Sequence, residues 1–409
     1  PDIVHTGWRE LMDLSKVPFA YSNLTEFKNR IIYYESSRGC PFSCSYCLSS
    51  IDKKLRFRDI ELVKKELQFF IDNKVPQVKF VDRTFNCKHD HAMEIWRYIT
   101  ENDNGITNFH FEIGADLLDD EELEILSDMR PGLIQLEIGV QSTNDATIQE
   151  VSRTMRLDRL ARAVDRVNAG HNIHQHLDLI AGLPYEDYDS FGKSFCDVYQ
   201  LRPQQLQLGF LKVLKGSFMY QAAPEYGCVC QSREPYEVLY TRWLPYDDVL
   251  RLKLVEEMVE VYYNSNQFGK TLRAIEKLFD NPFALYEALG AFYDKKGYMD
   301  ISHTRIRRYE ILQEFLQEYV DEEQMDYYRQ LMICDLYARE NMKTRPAWAK
   351  DLKAYKRDIR EFYLKEEETH EYLPEYEGYD EKQLARMTHL ERMDYDPDTG
   401  GREPCWILF

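Results

Sequence analysis

Between residues 31 and 215, short strand-like runs alternate six times with segments of helical periodicity. "RIIYYES" opens the series. It is followed by "DIELVKKELQFFIDN", where Ile60, Val63, Leu67 and Phe70 share one helix face and Asp59 stands as the N-cap. "QVKFVD" (77–82) precedes "HAMEIWRYIT", and "FHFEIGAD" (109–116) precedes "DEELEILSDM". "LIQLEIGVQS" (133–142) leads to a helix whose face is Leu157, Leu160, Val164 and Val167, stopped by Gly170. "IHQHLDLIAGLP" (173–184) precedes "YDSFGKSFCDVYQL", and "QQLQLGFLKVLKG" supplies the sixth strand. Alternating β and α units of this kind imply a parallel sheet with right-handed crossovers. Six units fall short of the eight of a closed barrel, so the expectation is an open, partial (β/α)6 TIM-like barrel. A doubly wound open sheet is the alternative. In barrels the chemistry gathers at the C-terminal strand ends.

The first strand runs directly into "SRGCPFSCSYCLSS", with Cys40, Cys44 and Cys47 at spacings of four and three. Three readings compete for this loop. A structural zinc site wants four ligands, usually in paired knuckles, and fits the spacing poorly. A disulfide with one spare thiol does not suit a reducing compartment. An iron–sulfur cluster held by three soft, anionic thiolates leaves one iron open to a further ligand. Gly39 and Pro41 help the chain wrap around such a group.

The triple C-x3-C-x2-C after the first strand of a βα array, with Tyr46 before the last cysteine, resembles the radical S-adenosylmethionine (SAM) superfamily. The resemblance covers roughly residues 31–215. It implies the partial barrel of that family and a [4Fe–4S] cluster on Cys40, Cys44 and Cys47. It also implies SAM chelated to the open iron and cleaved reductively to a 5′-deoxyadenosyl radical. Further family positions fall at the strand ends. Asp82, Arg83 and Thr84 in "VDRTFN" stand where the family often has a glycine-rich turn contacting the SAM amino group, with Asp82 as the acceptor. Glu112 is similar in position to an acidic SAM contact of coproporphyrinogen-dehydrogenase-like members. Gln141 and Ser142 correspond to a ribose contact, and Arg153 to the partner of the SAM carboxylate. In "DLIAGLP", Asp178 would accept from ribose hydroxyls while Ile180 and Gly182 line the adenine pocket, with Leu211 a further adenine contact. An oxygen-sensitive enzyme of this kind implies an electron donor such as flavodoxin or ferredoxin and a substrate the sequence does not name.

"NRIIYYESSRGCPFSCSYCLSS", "FVDRTFN" and "PYEVLYTRWLPYDDVLRLK" resemble radical SAM proteins with an N-terminal cobalamin-binding domain and a helical C-terminal extension. The D-x-H-x-x-G motif common in such cobalamin domains is absent from these residues. The stretch Pro1 to Lys28 resembles the connector that follows that domain, which suggests the catalytic portion of a longer protein. With cobalamin the expected outcome is methylation of an unactivated carbon. Without it, the expectation is oxidation or rearrangement. A non-catalytic iron–sulfur or zinc interaction protein is the reading outside enzymes.

The expected domains are an N-terminal arm or linker (1–30), the partial barrel (31–220) and a mostly helical extension with an acidic tail (221–409). Residues 245–365 are rich in helix formers, whereas "KEEETHEYLPEYEGYDE" reads as loop-rich. His174, His176 and Asp178 share a strand face, and lining a barrel explains them more simply than a second metal. Cys228 and Cys230 form a lone C-x-C, read as unpaired thiols, not part of an auxiliary cluster. Lys and Arg total 52 against 71 Asp and Glu, a formal charge of −19, which disfavours nucleic acid as a partner. No apolar run approaches the ~20 residues of a membrane span. Nine cysteines without a secretory signal fit a reducing cytoplasm.

Overall fold

The computed structural model describes every residue except 1–3, 5, 8, 29, 300 and 343. It contains two compact units, residues 1–253 and 254–409. In the first, six strands form one sheet: Ile32–Tyr34, Gln77–Phe80, Asn108–Ile113, Ile134–Gln141, His174–Ala181 and Gln205–Phe210. They are called strands one to six below. They lie side by side in chain order, each parallel to the next. A doubly wound sheet must reverse its direction of growth at some strand, and this one never does. Strands one and six have no pairing with each other, so the barrel is open, as expected.

The connecting helices are Ile60–Asp72, His89–Glu101, Asp120–Ser127, Leu157–Gly170 and Tyr188–Gln200. Asp59 caps the first through its side chain, which accepts from Glu61 and Leu62 N–H, both at 3.1 Å. Val63, Leu67, Phe70 and Ile71 are its buried face. The Leu157–Gly170 helix buries Leu160, Ala163, Val164 and Val167, and His171 at φ 51° closes it in the left-handed conformation.

Strand burial alternates strictly, and the alternation decides what each face is for. One face carries Val78, Phe80, Phe109, Phe111, Leu136, Ile138, Leu177 and Leu179, all buried. Phe80, Phe85, Trp96 and Phe111 form a packed aromatic group beneath it. The other face is polar and half-buried: Lys79, His110, Glu112, Glu137, Gln141, His174, His176 and Asp178. His174, His176 and Asp178 thus line the barrel face. Neither histidine belongs to a compact ligand set among the described residues.

The stretch read as an arm is partly structured, with positions 1–3, 5, 8 and 29 outside the described residues. Residues 14–27 lie along the first helix. Arg58, ion-paired with Glu66 at 2.5 Å where both are buried, donates to the carbonyls of Leu14 and Val17. Phe19 and Tyr21 pack on Phe70.

The expected boundary at residue 220 falls inside the first unit. Beyond strand six the chain returns to the sheet: Val238 N–H donates to Leu211 O at 2.8 Å, and Val213 N–H to Tyr236 O at 3.0 Å. The second unit is mostly helical, including Pro282–Lys296, Arg305–Leu316 and Glu322–Arg339. Its acidic end is more ordered than its composition suggests. It carries the helices Lys356–Thr369 and Glu381–Met387 and a terminal antiparallel pair, Leu390–Met393 with Cys405–Leu408. Tyr363, Leu373, Leu384 and Leu390 are the small core that holds it. No helix among the described residues is long and apolar enough to cross a membrane.

Candidate active site

The cysteine loop is closed at its base by a two-residue antiparallel hairpin, Ser37 opposite Phe57 and Arg38 opposite Arg56. Gly39 sits just inside at φ +98°, and a Cβ there would lie 2.7 Å from Lys54 O. Only glycine fits a backbone crossing that close in that conformation. Cys40 N–H donates to Asp52 O at 2.9 Å, and Cys47 N–H to Cys44 O at 3.1 Å. Ser45 N–H reaches Val151 O at 2.9 Å, tying the loop to the segment after strand four. Cys40 and Cys44 are buried and Cys47 half-buried.

All three cysteines line one cleft of about 190 Å³ at the C-terminal strand ends. Its walls also include Tyr46, Arg83, Thr84, Glu112, Gln141, Arg153 and Asp178. Ten of the fifteen expected site residues therefore face a common space. The other five stand elsewhere. Asp82 is fully buried, accepting from Ser36 N–H at 3.0 Å and from the hydroxyls of Ser36 and Ser37 at 2.7 and 2.5 Å. It fastens the end of strand one to strand two. Ser142 is buried on the opposite face from Gln141 and donates to Glu186 Oε1 at 2.6 Å. Gly182, at φ +88°, lies against Val238. Leu211 is buried, and its N–H donates to Ala181 O at 2.9 Å. Ile180 is half-buried on strand five. None of these five is a wall of the cleft.

Arg153 links the two sides of the site. Its Nη1 donates to Tyr46 Oη at 3.3 Å and lies 3.7 Å from Cys44 Sγ, while Nη2 donates to Gly139 O. Burial raises the Tyr46 hydroxyl well above its ordinary pKa, against the pull of Arg153. Gln141 stands at φ +75°, at a register break after Gly139. A non-glycine residue held there stores strain, and such bulges re-aim side chains. Two buried polar atoms in the cleft lack partners: Gln141 Oε1 and Arg153 Nε.

Sequence reasoning passed over Glu137, although the alternation back from Gln141 points to it. Glu137 also lines the cleft. Its Oε2 lies 2.8 Å from Lys79 Nζ and 3.0 Å from His110 Nε2, and His110 followed by Lys79 hold its carboxyl down at about 2 against burial. Glu112, its partner in the strand register, is pushed up to about 7 by burial and then by the Glu137 charge. Arg83 approaches Glu112 only to 3.9 Å. His176 Nε2 lies 3.0 Å from Asp178 Oδ1. Burial raises Asp178 above the usual carboxylate range; it also pulls His176 down, but the Asp178 carboxylate outweighs it and the imidazole ends up raised.

The donor set discriminates among the metal readings. A structural zinc ion wants four ligands. Cys40, Cys44 and Cys47 line the cleft with no further cysteine and no histidine among its walls, which suits a cluster that takes three thiolates and leaves one iron open. The cleft also matches SAM by charge: a guanidinium for its carboxylate, acids for its cationic end, and unpartnered polar atoms for its hydroxyls. All nine cysteines are free thiols. Burial pushes Cys87 and Cys228 up to about 11, and neither is a wall of the cleft.

Residues 34–195 match the Radical SAM superfamily, and residues 224–409 match a family described as a protein of unknown function, DUF4080. A 165-residue stretch is 27% identical to a 2-(S-pantetheinyl)-carbapenam-3-carboxylate methyltransferase from Streptantibioticus cattleyicolor. A 168-residue stretch is 27% identical to the cobalamin-dependent radical SAM methyltransferase TokK of Streptomyces tokunonensis. Each match covers 39% of this chain and 24% of the relative, so the chain spans about a quarter of these proteins. Among solved structures, the radical SAM methyltransferase TsrM from Kitasatospora setae, with cobalamin and a [4Fe–4S] cluster bound, aligns at 15% identity and TM-score 0.44. That alignment covers 51% of this chain and 43% of TsrM. Coproporphyrinogen III oxidase from Escherichia coli aligns at 17% identity and TM-score 0.39, covering 55% and 51%.

Proposed function

Residues 34–195 make this chain a member of the radical SAM superfamily, and on that premise we propose that Cys40, Cys44 and Cys47 hold a [4Fe–4S] cluster with SAM in the adjoining cleft. When bound, this pair supplies a 5′-deoxyadenosyl radical that abstracts hydrogen from an unactivated carbon, the chemistry the protein itself cannot provide. The chain's own residues bind and orient. Arg153, already fixed between Tyr46 and Gly139, presents its guanidinium to the SAM carboxylate. Glu112 accepts from the SAM ammonium, and Gln141 and Asp178 from the ribose. Phe42 and Ile113 give the cleft apolar wall, which limits water around a reactive species. One observation carries this reading: three thiols and two buried polar atoms without partners, Gln141 Oε1 and Arg153 Nε, meet in a single cleft.

The finer reading is transfer of a methyl group to a carbon, with cobalamin as carrier. Its support is the names of the two relatives, both methyltransferases and one cobalamin-dependent. Anaerobic reconstitution tests both levels. About four irons per chain, and 5′-deoxyadenosine formed from SAM under dithionite, are expected. A colourless zinc protein without that activity would overturn the assignment. Methylcobalamin formed from SAM and hydroxocobalamin, the corrinoid being first reduced to its cob(I) state by a two-electron reductant, would support methyl transfer.

A further inference from the structure

We propose that His89, Asp119 and Glu122 form a binding site for a divalent transition-metal ion of the zinc class, and that the ion clips together the loops after strands two and three. The inference does not depend on the cluster reading, since none of the three residues is a wall of the cysteine cleft.

His89 opens the helix His89–Glu101, which follows strand two. Asp119 caps the helix Asp120–Ser127, which follows strand three, and Glu122 is the third residue of that helix. The two helices are in contact, and their starts bring the three side chains together. One ligand atom from each lies within 4.8 Å of the other two. His89 Nδ1 is 3.1 Å from Asp119 Oδ2 and 3.6 Å from Glu122 Oε1. Ligands about 2.0–2.1 Å from one tetrahedral ion stand about 3.3 Å apart, so both separations need only a small adjustment.

The capping box explains one oxygen of each carboxylate and leaves the other. Glu122 N–H donates to Asp119 Oδ1 at 3.0 Å, and Asp119 N–H to Glu122 Oε2 at 3.1 Å. The remaining oxygens, Asp119 Oδ2 and Glu122 Oε1, are the two that approach His89. Glu122 Oε1 carries the argument. Its side chain is 2% exposed, and this oxygen accepts no hydrogen bond. At 3.6 Å the imidazole stands beyond hydrogen-bond range. A buried carboxylate oxygen without a donor is costly, and a coordinated cation satisfies it. No Lys or Arg pairs with Asp119 or Glu122 among the described residues. Arg97 is taken up by Glu121, and Arg166 by Asp120. Glu121 Oε2 in turn lies 3.6 Å from His89 Nε2, where a carboxylate steadies the far side of a metal-bound imidazole. An imidazolium between the two acids is the competing account, and it predicts no metal.

One imidazole nitrogen with two carboxylate oxygens suits zinc, cobalt or nickel, whereas calcium and magnesium take oxygen ligands. His89 and Asp119 are partly exposed, so an ion reaches them from solvent and water completes its shell. The loops it joins also carry walls of the cleft: Arg83 and Thr84 ahead of His89, Gly114 and Asp116 ahead of Asp119. Those loops are already stitched once, by Asn86 Nδ2 donating to Gly114 O at 3.0 Å and Gly114 N–H to Asn86 Oδ1 at 2.9 Å. The ion adds a second stitch further out.

The test uses the full-length chain after cluster reconstitution, dialysed against zinc chloride, with zinc and iron counted separately. One zinc per chain is expected, with a Kd below about 10 µM. X-ray absorption at the zinc edge should show nitrogen and oxygen neighbours at about 2.0–2.1 Å and no sulfur at about 2.3 Å. His89→Ala and Glu122→Gln should each weaken binding about tenfold or more, with iron content unchanged. Glu122→Gln keeps an oxygen for the capping bond, so the helix start survives. Magnesium chloride at about a hundredfold excess should not displace the zinc. Zinc should slow amide exchange severalfold in residues 84–90 and 114–122 of the wild-type chain, and not in His89→Ala. Zinc held only through sulfur, a Kd weaker than about 10 µM, or equal affinity in wild type and His89→Ala overturns the site. Zinc bound through nitrogen and oxygen without slower exchange overturns the clip.

Discussion

Arg153 and Tyr46 are joined across the cleft: the guanidinium Nη1 donates to the phenol oxygen at 3.3 Å, and the same nitrogen lies 3.7 Å from Cys44 Sγ. A cation held beside a cluster ligand, with Nε still unpartnered, is prepared for an anionic group. Arg153→Ala should therefore weaken SAM binding by about tenfold to a hundredfold while leaving most of the iron in place. Arg153→Lys should recover only part, since ammonium cannot reproduce the planar fork. Calorimetry with SAM beside an iron assay separates the two effects. Unchanged SAM affinity removes Arg153 from the site.

The three cysteines should behave as one unit and Cys87 as an outsider. Cys40→Ala, Cys44→Ala and Cys47→Ala are each expected to abolish stable cluster assembly and 5′-deoxyadenosine formation. Cys87 lies near enough to Cys40 to feel its charge, and burial with that charge pushes its thiol up to about 11. It is not a wall of the cleft that the three loop cysteines share, so it should not ligate. Cys87→Ala should retain full iron content, and an iron loss equal to that of Cys40→Ala would show a ligand role.

Gly39→Ala tests how the loop is shaped without touching a ligand. The added Cβ would meet Lys54 O at 2.7 Å in a conformation, φ +98°, that alanine adopts only with strain. Backbone on both sides leaves little room to relax, and the cost is about 1–3 kcal/mol. The expected result is a folded chain with normal circular dichroism and reduced cluster occupancy. Full occupancy would mean that the Lys54 strand shifts freely.

Asp82 is a strut, and its variant should read as one. Between about pH 6, to which burial raises its carboxyl, and the alkaline limit, it accepts three bonds from Ser36 and Ser37. An amide nitrogen in place of one oxygen would face a donor. Asp82→Asn should cost about 1–3 kcal/mol, lowering Tm by several degrees. SAM affinity measured well below that Tm should match wild type. A selective loss of SAM binding would return Asp82 to the site.

Which parts of this arrangement were legible follows from what periodicity encodes. Short apolar runs between helical segments announced the six strands, with a partial barrel expected and a doubly wound sheet as the alternative, and the loop cysteines announced themselves by spacing. Side-chain facing was the weaker inference. Asp82 has the parity of Val78 and Phe80, which face the helices, and Ser142 is one residue out of phase with Gln141. Treating every strand-end polar group as inward therefore included both. The same parity rule picks out Glu137, His110 and Lys79, which resemblance alone passed over. The terminal hairpin was hidden for a different reason: its few apolar anchors, such as Leu384 and Leu390, are widely spaced in an acidic stretch.

Glu112 should give the site a pH signature of two opposite signs. Its carboxyl rises from an ordinary 4.5 to about 7, through burial first and the Glu137 charge second. The folded chain therefore keeps a proton between those values that the unfolded chain releases. That contribution to stability is fully present below about pH 4.5 and is lost as pH climbs through about 7. It amounts to at most about 3 kcal/mol, less what partial exposure screens. Glu112→Gln should remove this slope from Tm measured between pH 5 and pH 8 (about three units). SAM binding should run the other way. The ammonium needs the ionised carboxylate, so affinity should rise through about pH 7 with proton release, and Glu112→Gln should flatten the rise. Calorimetry in buffers of different ionisation enthalpy counts that proton. A pH-independent affinity in the wild-type chain would exclude Glu112 as the ammonium partner.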